Sequence, residues 1–463
     1  MTDSFYPSKT GILWLNSILQ KRISCDLNLR LAKEEEFKWI ISASNSEKHI
    51  IVYFNPFLYS IDSSKDLPFS NAFISNQFFT TKFTELPAPG LEKKVGNIIS
   101  KNKKGLSIYY DILGITYCML SRLEELNTNP EIYDMHQRFP SIESNGYKHR
   151  YLEEPIVDQW LFFLKECCEY CFSELKIIKH NFSICPTHDV DRPAKFSLVA
   201  KRNIIKNLGL DLLKSDSIFG ALRSLKAYKD SAINVNNYLD SKDPFDTFKW
   251  IINENSKNNL KSEFYFMAQK NFHWRYDTGY KIYSPFIKKL IKFISNEGHL
   301  VGVHPGYNTF LDQNKFSSEV DFFLKTCESI GIHQKEWGGR MHYLRFRWPN
   351  TIGFWAESKF SYDATMGYAD RPGFRCGTCH EYQIYDHQAD KILDIREKPL
   401  IVMEASIISR QCLNLGIGDE ALNYLISLKE KCKKVDGKFT FLWHNCQFEN
   451  LNDRILYQKL IMK

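Results

Sequence analysis

Short apolar runs alternate with amphipathic segments along the chain after residue 180. Runs such as "FSICPTHD" (182–189), "SEFYFMA" (262–268) and "HLVGVHP" (299–305) have the length and composition of buried strands. Between them, residues 246–259 and 286–298 place apolar side chains at helical spacing, and the second segment ends at a glycine. This alternation predicts βα units that form a parallel sheet or barrel.

The same rhythm continues towards the C terminus. Residues 317–331 repeat the helix that ends at a glycine, and "LIVMEAS" (400–406) and "FTFLWHN" (439–445) are predicted strands. Charged and imidazole side chains recur where the strands end. In barrels of alternating strands and helices the active site is built at the C-terminal ends of the strands. We therefore expect the catalytic side chains to meet at one end of the sheet.

The first part of the chain has a different pattern. A strand candidate at 49–54 precedes helix-like stretches at 111–126 and 157–175, which are joined by a polar connection, and we find no catalytic constellation there. A chain of 463 residues exceeds the roughly 250–300 at which one hydrophobic core stops growing. We predict a smaller α+β accessory domain over residues 1–180 and a (β/α) barrel over residues 181–463.

The composition is that of a globular protein, with 43% hydrophobic and 14% aromatic residues. The 61 Lys and Arg against 54 Asp and Glu give a net charge of +7, but the excess is spread along the chain, which argues against a nucleic-acid partner. The first 20 residues lack the pattern of a signal peptide, and no apolar run approaches the roughly 18 residues of a membrane span, so we expect a cytoplasmic protein. The 12 scattered cysteines fit reduced thiols.

A basic helical insertion is predicted at about residues 194–245. Lysine and arginine far outnumber aspartate between residues 195 and 229, and apolar residues recur there at near-helical spacing. A basic amphipathic helix of this kind can touch a membrane surface, here through residues 194–230, or pack on the barrel with a solvated face. Both interpretations stay open from the sequence.

Five motifs follow one another in the C-terminal part of the chain. They are "THDVD" (187–191), "EGHLVGVHPGYN" (297–308), "GGRMHY" (338–343), "SYDATMGYADRPGFRCGT" (361–378) and "FLWHN" (441–445). In this order they resemble the motifs of the polysaccharide deacetylase (NodB homology) superfamily, carbohydrate esterase family 4 in the broad sense, in a less typical branch that carries an N-terminal extension. The resemblance spans residues 181–463 and implies a NodB-type distorted, TIM-like (β/α) barrel of about seven strands.

The resemblance also implies roles for the polar side chains. Asp189 matches the family's catalytic base, Arg340 the arginine that holds this base, and His444 the general acid. Asp191 and His304 match ligands of a divalent metal ion, and zinc is the expected ion. The residue types suit this chemistry, because Asp189 and Asp191 share one face of a strand, and two carboxylates so close repel each other unless a cation lies between them.

Asn308 is the main departure from the family pattern, because the family has a second metal-binding histidine at this position. An amide oxygen is a weaker ligand than imidazole, and Asn308 is kept as a candidate third ligand. The fourth motif is expected to supply the carboxylate that orients His444, with Asp363 as the first candidate and Asp370 as its rival. The basic and aromatic third motif forms either a surface strand or a pocket for an anionic or sugar-phosphate substrate. The candidate substrate-binding residues are His342, Tyr343, Arg345 and Asp370.

Five further side chains are expected outside the chemistry itself. By strand alternation His188 should point away from the pocket, and His299, at the start of its strand, should be structural. Cys376 and Cys379 form a lone C-x-x-C pair, which indicates ordinary packing and not zinc binding. Glu404 follows a predicted strand and is expected in the pocket wall.

Together these observations predict a metal-dependent hydrolase of non-peptide carbon–nitrogen bonds. The expected reaction removes an N-acetyl group from a carbohydrate, and the expected substrate is an intracellular sugar precursor, nucleotide-linked or lipid-linked, in surface-polysaccharide assembly. Two alternatives stay open: a hydrolase of cyclic amides or imides from the same superfamily, and a non-catalytic carbohydrate-binding or scaffold protein. The base and acid together disfavour the second alternative, since a binding module needs neither.

Overall fold

The computed structural model describes most of the chain apart from the insertion after the first motif. Only the two ends of that insertion and six single positions within it are described, so the predicted membrane contact lies outside the described residues. Within the described part of the chain, no helix is both long and apolar enough to cross a membrane. The described residues are 6–32, 37–93, 96–196, 209, 222, 225, 226, 228, 229, 243–269, 273, 275–277, 279–358 and 360–462.

Seven described strands belong to the N-terminal region: β1 (Leu27–Leu31), β2 (Lys38–Ala43), β3 (His49–Tyr53), β4 (Phe69–Phe73), β5 (Glu85–Pro89), β6 (Ile99–Asn102) and β7 (Gly105–Ile108). Five of them form a sheet in the order β1-β2-β3-β7-β6, in which only β3 and β7 pair in parallel. β4 and β5 form a separate antiparallel pair. The helices of this region are Lys9–Arg22, Ile61–Ser64, Ile112–Leu120, Asn145–Lys148 and Ile156–Cys171.

Alternating burial explains how this sheet packs. Trp39 and Ile41 in β2 are fully buried, as are Ile50 and Val52 in β3, whereas the residues between them are less buried. Successive side chains of a strand point to opposite faces, so one face of the sheet is apolar. Helix Ile156–Cys171 contacts β3 and contributes to covering the sheet.

Nine described strands form the second sheet: β8 (Ser183–Val190), β9 (Glu263–Phe266), β10 (Leu300–Val303), β11 (Gly338–Gly339), β12 (Tyr362–Asp363), β13 (Tyr382–Asp386), β14 (Lys391–Glu397), β15 (Val402–Met403) and β16 (Lys438–Leu442). Their order is β13-β14-β12-β11-β10-β9-β8-β16-β15, and all neighbours are parallel except β13 and β14. The prediction of a parallel sheet built from βα units is confirmed. The helices of this region are Phe248–Lys257, Pro285–Asn296, Gln313–Glu328, Asn350–Glu357, Glu404–Ile408, Asp419–Lys434 and Leu451–Ile461.

The parallel strands curl towards a barrel. β14 and β15 lie at opposite ends of the parallel run, yet only residues 398–401 separate them in the chain. In a flat sheet, strands seven steps apart would lie about 34 Å from each other, whereas five residue steps span at most about 18 Å. In this linker Leu400 N donates to Met366 O, and Ile401 N donates to Thr440 O on the other side. The two edges therefore approach each other, although no described pair of strands closes the barrel.

Helix Pro285–Asn296 illustrates how the helices cover the outside of the sheet. Ser284 caps its first turn by accepting a hydrogen bond from the backbone of Ile287, and Pro285 fits the first helical position. Its apolar residues recur at intervals of three and four, which places them on one face. The buried residues of this face are Phe286, Ile287, Leu290, Ile291 and Ile294.

The segment 400–406 departs from its predicted strand. Only Val402–Met403 pair with β16, and the chain then enters the short helix Glu404–Ile408. An acidic residue in the first turn of a helix is favoured by the helix dipole. The turn from strand to helix at Glu404 places this carboxylate beside the end of β16, where it contacts His444.

Buried ion pairs join the N-terminal region to the loops of the second sheet. Arg122, fully buried and with a left-handed φ of 52°, donates to Glu124 and Glu125 at 2.7 and 2.8 Å. Arg375 donates to both carboxylate oxygens of Glu125, at 2.9 and 2.6 Å. Burial opposes the charge on Glu125, but Arg375 and Arg122 lower its pKa to about 2. The two regions also share one continuous cluster of buried hydrophobic residues.

Arg375→Met is expected to lower the free energy of unfolding by about 3–5 kcal/mol, because it removes one partner of a buried charge pair. The matched control is Arg396→Met: the Arg396 side chain is 36% exposed, and its partners Glu336 and Glu381 are 48% and 21% exposed. An exposed pair contributes at most about 1 kcal/mol. Denaturant unfolding of both variants measures the two losses of unfolding free energy. Equal losses would show that the buried Arg375–Glu125 pair contributes no more to stability than the exposed pair.

Candidate active site

Six of the eleven predicted site residues meet in a cleft at the C-terminal ends of the parallel strands. Asp189 lies near the end of β8, and His304, Arg340 and His444 follow the ends of β10, β11 and β16. The cleft has a volume of about 350 Å³, which lies in the range typical of ligand sites. Six of the predicted residues line it: Asp189, Asp191, His304, His342, Tyr343 and His444.

Asp191, His304 and His342 form a candidate metal centre. Each can offer one ligand atom, and the three atoms lie within 4.8 Å of one another. His304 Nε2 is 3.1 Å from Asp191 Oδ1, and His342 Nε2 is 3.6 Å from Asp191 Oδ2. Two imidazoles and one carboxylate are a ligand set found at catalytic zinc sites, where a fourth position stays open.

The hydrogen bonds of the two imidazoles fix which nitrogen faces the centre. His304 Nδ1 is 2.6 Å from the carbonyl oxygen of Arg340, and His342 Nδ1 is 2.9 Å from Asp277 Oδ1. Since both oxygens can only accept, Nδ1 donates in each ring and Nε2 is left to bind a ligand. His304 Nε2 is buried and has no hydrogen-bond partner among the described residues, although a carboxylate lies beside it. A lone pair facing a carboxylate calls for a proton or a cation between them, so the residues present fit a metal ion.

The electrostatics of the centre favour positive charge. Burial opposes the charged form of His342, but Asp191 and Asp277 raise its pKa to about 9. Burial likewise opposes the charge on Asp191, yet His342 and His304 hold its pKa well below the usual range. A bound cation would supply this positive charge in place of imidazole protons.

Asp189 is held by the buried guanidinium of Arg340. Arg340 Nη1 donates to Asp189 Oδ1 at 2.9 Å and to Thr187 Oγ1 at 2.9 Å, and Arg340 Nε donates to Ala364 O at 2.7 Å. The other carboxylate oxygen, Oδ2, lies 3.7 Å from His304 Nε2. The guanidinium therefore fixes one oxygen of Asp189 and leaves the second on the side of the candidate metal centre.

His444 is oriented by Glu404. His444 Nδ1 lies 2.5 Å from Glu404 Oε1, and His444 Nε2 lies 3.5 Å from Asp191 Oδ2. Burial opposes the charged form of His444, but Glu404 raises its pKa to about 10. Glu404 therefore orients the imidazole so that Nε2 is directed towards Asp191.

The carboxylate beside His444 is Glu404 and not one of the two predicted partners, Asp363 and Asp370. Asp363 accepts a hydrogen bond from Thr365 at 2.5 Å and lies beside Glu397, and burial raises the pKa of Asp363 to about 7. Asp370 accepts a 2.5 Å hydrogen bond from Ser141 Oγ in the N-terminal region. The prediction of Asp363 or Asp370 was wrong because β12, which carries Asp363, lies far from β16 in the strand order, whereas β15 adjoins β16.

The predicted third ligand, Asn308, and two predicted substrate residues, Arg345 and Asp370, also lie outside the cleft lining. Asn308 is exposed and does not line the cleft. His342 is the third candidate ligand in its place, beside Asp191 and His304. Arg345 is buried between the rings of Tyr307 and Phe310, with its guanidinium carbon 3.9 and 3.7 Å from the ring centroids. Arg345 is thus a packing residue, because its guanidinium is enclosed between aromatic faces.

The N-terminal region contributes residues that the sequence did not indicate. His136 and Arg138 line the cleft, and Asp277, from a loop before the second motif, supports His342. His136 and Arg138 lie in the polar connection between two predicted helices, where no strand end or motif marks them. Their place depends on how the two regions pack, which local spacing does not reveal.

The remaining conspicuous side chains are structural. His188 is fully buried, lies 2.7 Å from Trp443 O through Nδ1, and burial lowers its pKa to about 3. His299 accepts a hydrogen bond from Ser262 N at 3.0 Å. Cys379 is buried, and its neighbour Asp158 already accepts hydrogen bonds from Arg22, Thr378 and Cys379 N. These oxygens are therefore occupied, which agrees with ordinary packing of the C-x-x-C segment.

Comparison with known proteins gives one family match and several distant structures. Residues 13–173 match a family described as a family of unknown function (DUF7033). No curated protein matches the chain. A proposed polysaccharide deacetylase from Mycobacterium smegmatis is 14% identical over 61% of this chain and 83% of that chain, with a TM-score of 0.39.

Two further solved structures show a similar degree of likeness. Puue allantoinase is 10% identical over 61% of this chain and 83% of that chain, with a TM-score of 0.37. A proposed polysaccharide deacetylase from Pseudomonas aeruginosa PAO1 is 11% identical over 61% and 84%, also with a TM-score of 0.37. At these values the likeness is distant, and the roles assigned to side chains depend on the geometry of the cleft.

Proposed function

We propose that this chain is a metal-dependent hydrolase that removes an acyl group from an amide nitrogen, and that its substrate is an N-acetylated carbohydrate. The observation that carries the proposal is the convergence of three units in one cleft. They are the Asp191–His304–His342 centre, a carboxylate held by Arg340, and an imidazole held by Glu404. The order of the five sequence motifs, which resembles that of NodB-type deacetylases, supports the same reaction and a NodB-type barrel.

A divalent ion held by Asp191, His304 and His342 would polarise the acyl carbonyl and make a water molecule more acidic. Zinc is the proposed ion, because imidazole nitrogen and carboxylate oxygen are its usual ligands. Asp277 and the Arg340 carbonyl orient the two imidazoles for this task.

Asp189 is the proposed general base. Its Oδ1 is engaged by Arg340, so Oδ2, on the side of His304, accepts the proton of the attacking water. The fully buried guanidinium of Arg340, 2.9 Å from Asp189 Oδ1, holds this carboxylate in place.

His444 is the proposed general acid. Glu404 accepts the Nδ1 proton and directs Nε2 into the cleft, where it donates a proton to the leaving amine. A half-buried aromatic side chain, Tyr343, lines the same cleft and offers a ring face against which a sugar ring can stack.

The test measures acetate release from N-acetylated sugars by the zinc-loaded protein. Acetate and free amine should appear in equal amounts, cease after chelation and return when zinc is added. Cyclic amides and imides are assayed in parallel. Ring opening without acetate release would replace the proposed substrate class by the cyclic one, and no hydrolysis of either class by fully loaded protein would favour a scaffold protein.

A further inference from the structure

The N-terminal region supplies part of the cleft wall. His136 and Arg138 lie between helices Ile112–Leu120 and Ile156–Cys171, far from the metal ligands in sequence, yet both line the cleft together with the candidate metal centre. Arg138 is the only lysine or arginine among the described residues that line the cleft. Arg138 thus brings a permanent positive charge to the cleft wall, and it is not one of the proposed metal-binding or acid–base residues.

A dense set of hydrogen bonds fixes the segment that carries Arg138. Asp134 Oδ1 accepts from the backbone N–H groups of His136 and Arg138 at 2.8 and 2.9 Å. Residues of the second region hold the same segment: Arg345 Nε donates to His136 O at 2.8 Å, and Tyr307 Oη lies 3.0 Å from His136 Nδ1. The position of Arg138 relative to the cleft is therefore set by both regions.

The guanidinium of Arg138 has one nitrogen left for a ligand. Nε donates to Asp134 Oδ2 at 2.7 Å, and Nη1 donates to Tyr343 O at 2.9 Å. Nη2 makes no hydrogen bond with the described residues, and the side chain is 18% exposed. A guanidinium anchored at two nitrogens and accessible at the third is pre-organised to bind an anionic oxygen.

The backbone that Arg138 contacts leads directly to a metal ligand. Tyr343 and Leu344 have left-handed φ values of 63° and 53°, which are uncommon for residues other than glycine. They follow His342, and the bond from Arg138 Nη1 to Tyr343 O ties the guanidinium to this turn. Arg138 and the candidate metal ligand His342 are thereby joined along one continuous part of the cleft wall.

We propose that Arg138 is a specificity residue that binds an anionic group of the substrate, a phosphate or a carboxylate carried by the same sugar as the acylated nitrogen. This inference rests on the proposed function, because it places the anion in the cleft of the proposed hydrolase. The rest of the described wall contains apolar side chains, among them Leu344, Met403 and Leu442, and no second lysine or arginine. The inference gives the N-terminal region a part in substrate choice.

The experiment compares kcat and KM for neutral N-acetylglucosamine, N-acetylglucosamine 1-phosphate and an N-acetylated aminouronic acid. In the wild type one or both anionic sugars should have the lower KM, and the better of the two identifies the anionic group. Arg138→Gln should raise KM for that sugar by about 10- to 100-fold, the range of one charge-assisted hydrogen bond, and change kcat and the neutral sugar little.

The control variant is Arg347→Gln, which removes an equal charge nearby but outside the cleft lining. It should leave all three KM values within about threefold, because the Arg347 guanidinium stacks on Tyr133 and donates to Gln137 and does not line the cleft. A merely structural role of Arg138 would impair the neutral and anionic sugars equally, and this outcome would overturn the inference. Equal KM values for all three sugars in the wild type would overturn it too, even if Arg138→Gln failed to fold.

Calorimetric titration with the same three sugars separates this inference from the proposed function. If no sugar is hydrolysed but N-acetylglucosamine 1-phosphate or the aminouronic acid still binds more tightly than the neutral sugar, and Arg138→Gln removes the preference, the anion site stands and the hydrolase fails. If acetate is released without any preference for an anionic sugar, the hydrolase stands and the anion site fails.

Discussion

Replacing Asp189 by asparagine is expected to reduce turnover by about 10³-fold while zinc binding is retained. An asparagine keeps the shape of the side chain but cannot take a proton from water, and positioned acid–base groups contribute about 10²–10⁴-fold to rate. The measurement is kcat for acetate release by protein whose zinc content is determined in the same preparation. Because Asp189 lies 3.7 Å from His304 and is not one of the three proposed ligands, the zinc content should stay at the wild-type level.

The matched control for this variant is Asp394→Asn, which makes the same change at an exposed position of β14. It should leave turnover unchanged. The Asp189→Asn variant also deprives the buried Arg340 of its counter-charge, so thermal unfolding is recorded for both variants to separate loss of chemistry from loss of fold. Wild-type turnover in a folded, zinc-loaded Asp189→Asn protein would remove Asp189 from the mechanism.

Replacing His342 by alanine is expected to weaken zinc binding by more than about 100-fold. The imidazole is one of three proposed ligands, and even changes to groups that only support a ligand cost about 10- to 100-fold in metal affinity. Asn308→Ala is the informative comparison, because the family pattern points to Asn308 whereas the structure places it outside the cleft lining. Its zinc affinity should equal that of the wild type.

Isothermal titration of the metal-free proteins with zinc measures both variants. A loss in Asn308→Ala with wild-type affinity in His342→Ala would restore the ligand set suggested by the family pattern. Equal affinity in all three proteins would place the ion elsewhere. Circular dichroism of the metal-free variants verifies that each is folded before the affinities are compared.

The sequence was most informative where function follows a strand along the chain. Asp189, His304 and His444 each come at or just after the end of an apolar run, and parallel strands bring such ends to one side of a sheet. Buried strands leave a strong local signal in the sequence, since most of their residues are apolar. In β9, for example, every position is buried and all but one are apolar or aromatic. These positions could therefore be predicted without knowledge of the strand order.

The partner of His444 could not be predicted in this way. Glu404 reaches His444 because β15 and β16 are neighbours, and that adjacency arises from the curl of the whole sheet. Asp363 has an equally suitable carboxyl group, but its strand lies beside the one that leads to Arg340. Local sequence gives the type of side chain at a strand end, and only the strand order tells which ends are close.

The proposed third metal ligand and the proposed anion site show two further limits. His342 turns into the centre through a short 3-10 helix in which Tyr343 has left-handed backbone, a conformation that residue type does not indicate. Arg138 belongs to a polar connection of the N-terminal region and reaches the cleft only because the two regions pack together. Contacts of this kind depend on tertiary packing and leave no periodic pattern.

The most direct test of the central claim is an anomalous difference map at the zinc absorption edge, from crystals grown with zinc. We expect one peak at about 2.0–2.2 Å from a carboxylate oxygen of Asp191 and from Nε2 of both His304 and His342. A zinc-loaded crystal with no peak at that position, or with its only peak beside Asp158, Cys379 and His380, would contradict the claim.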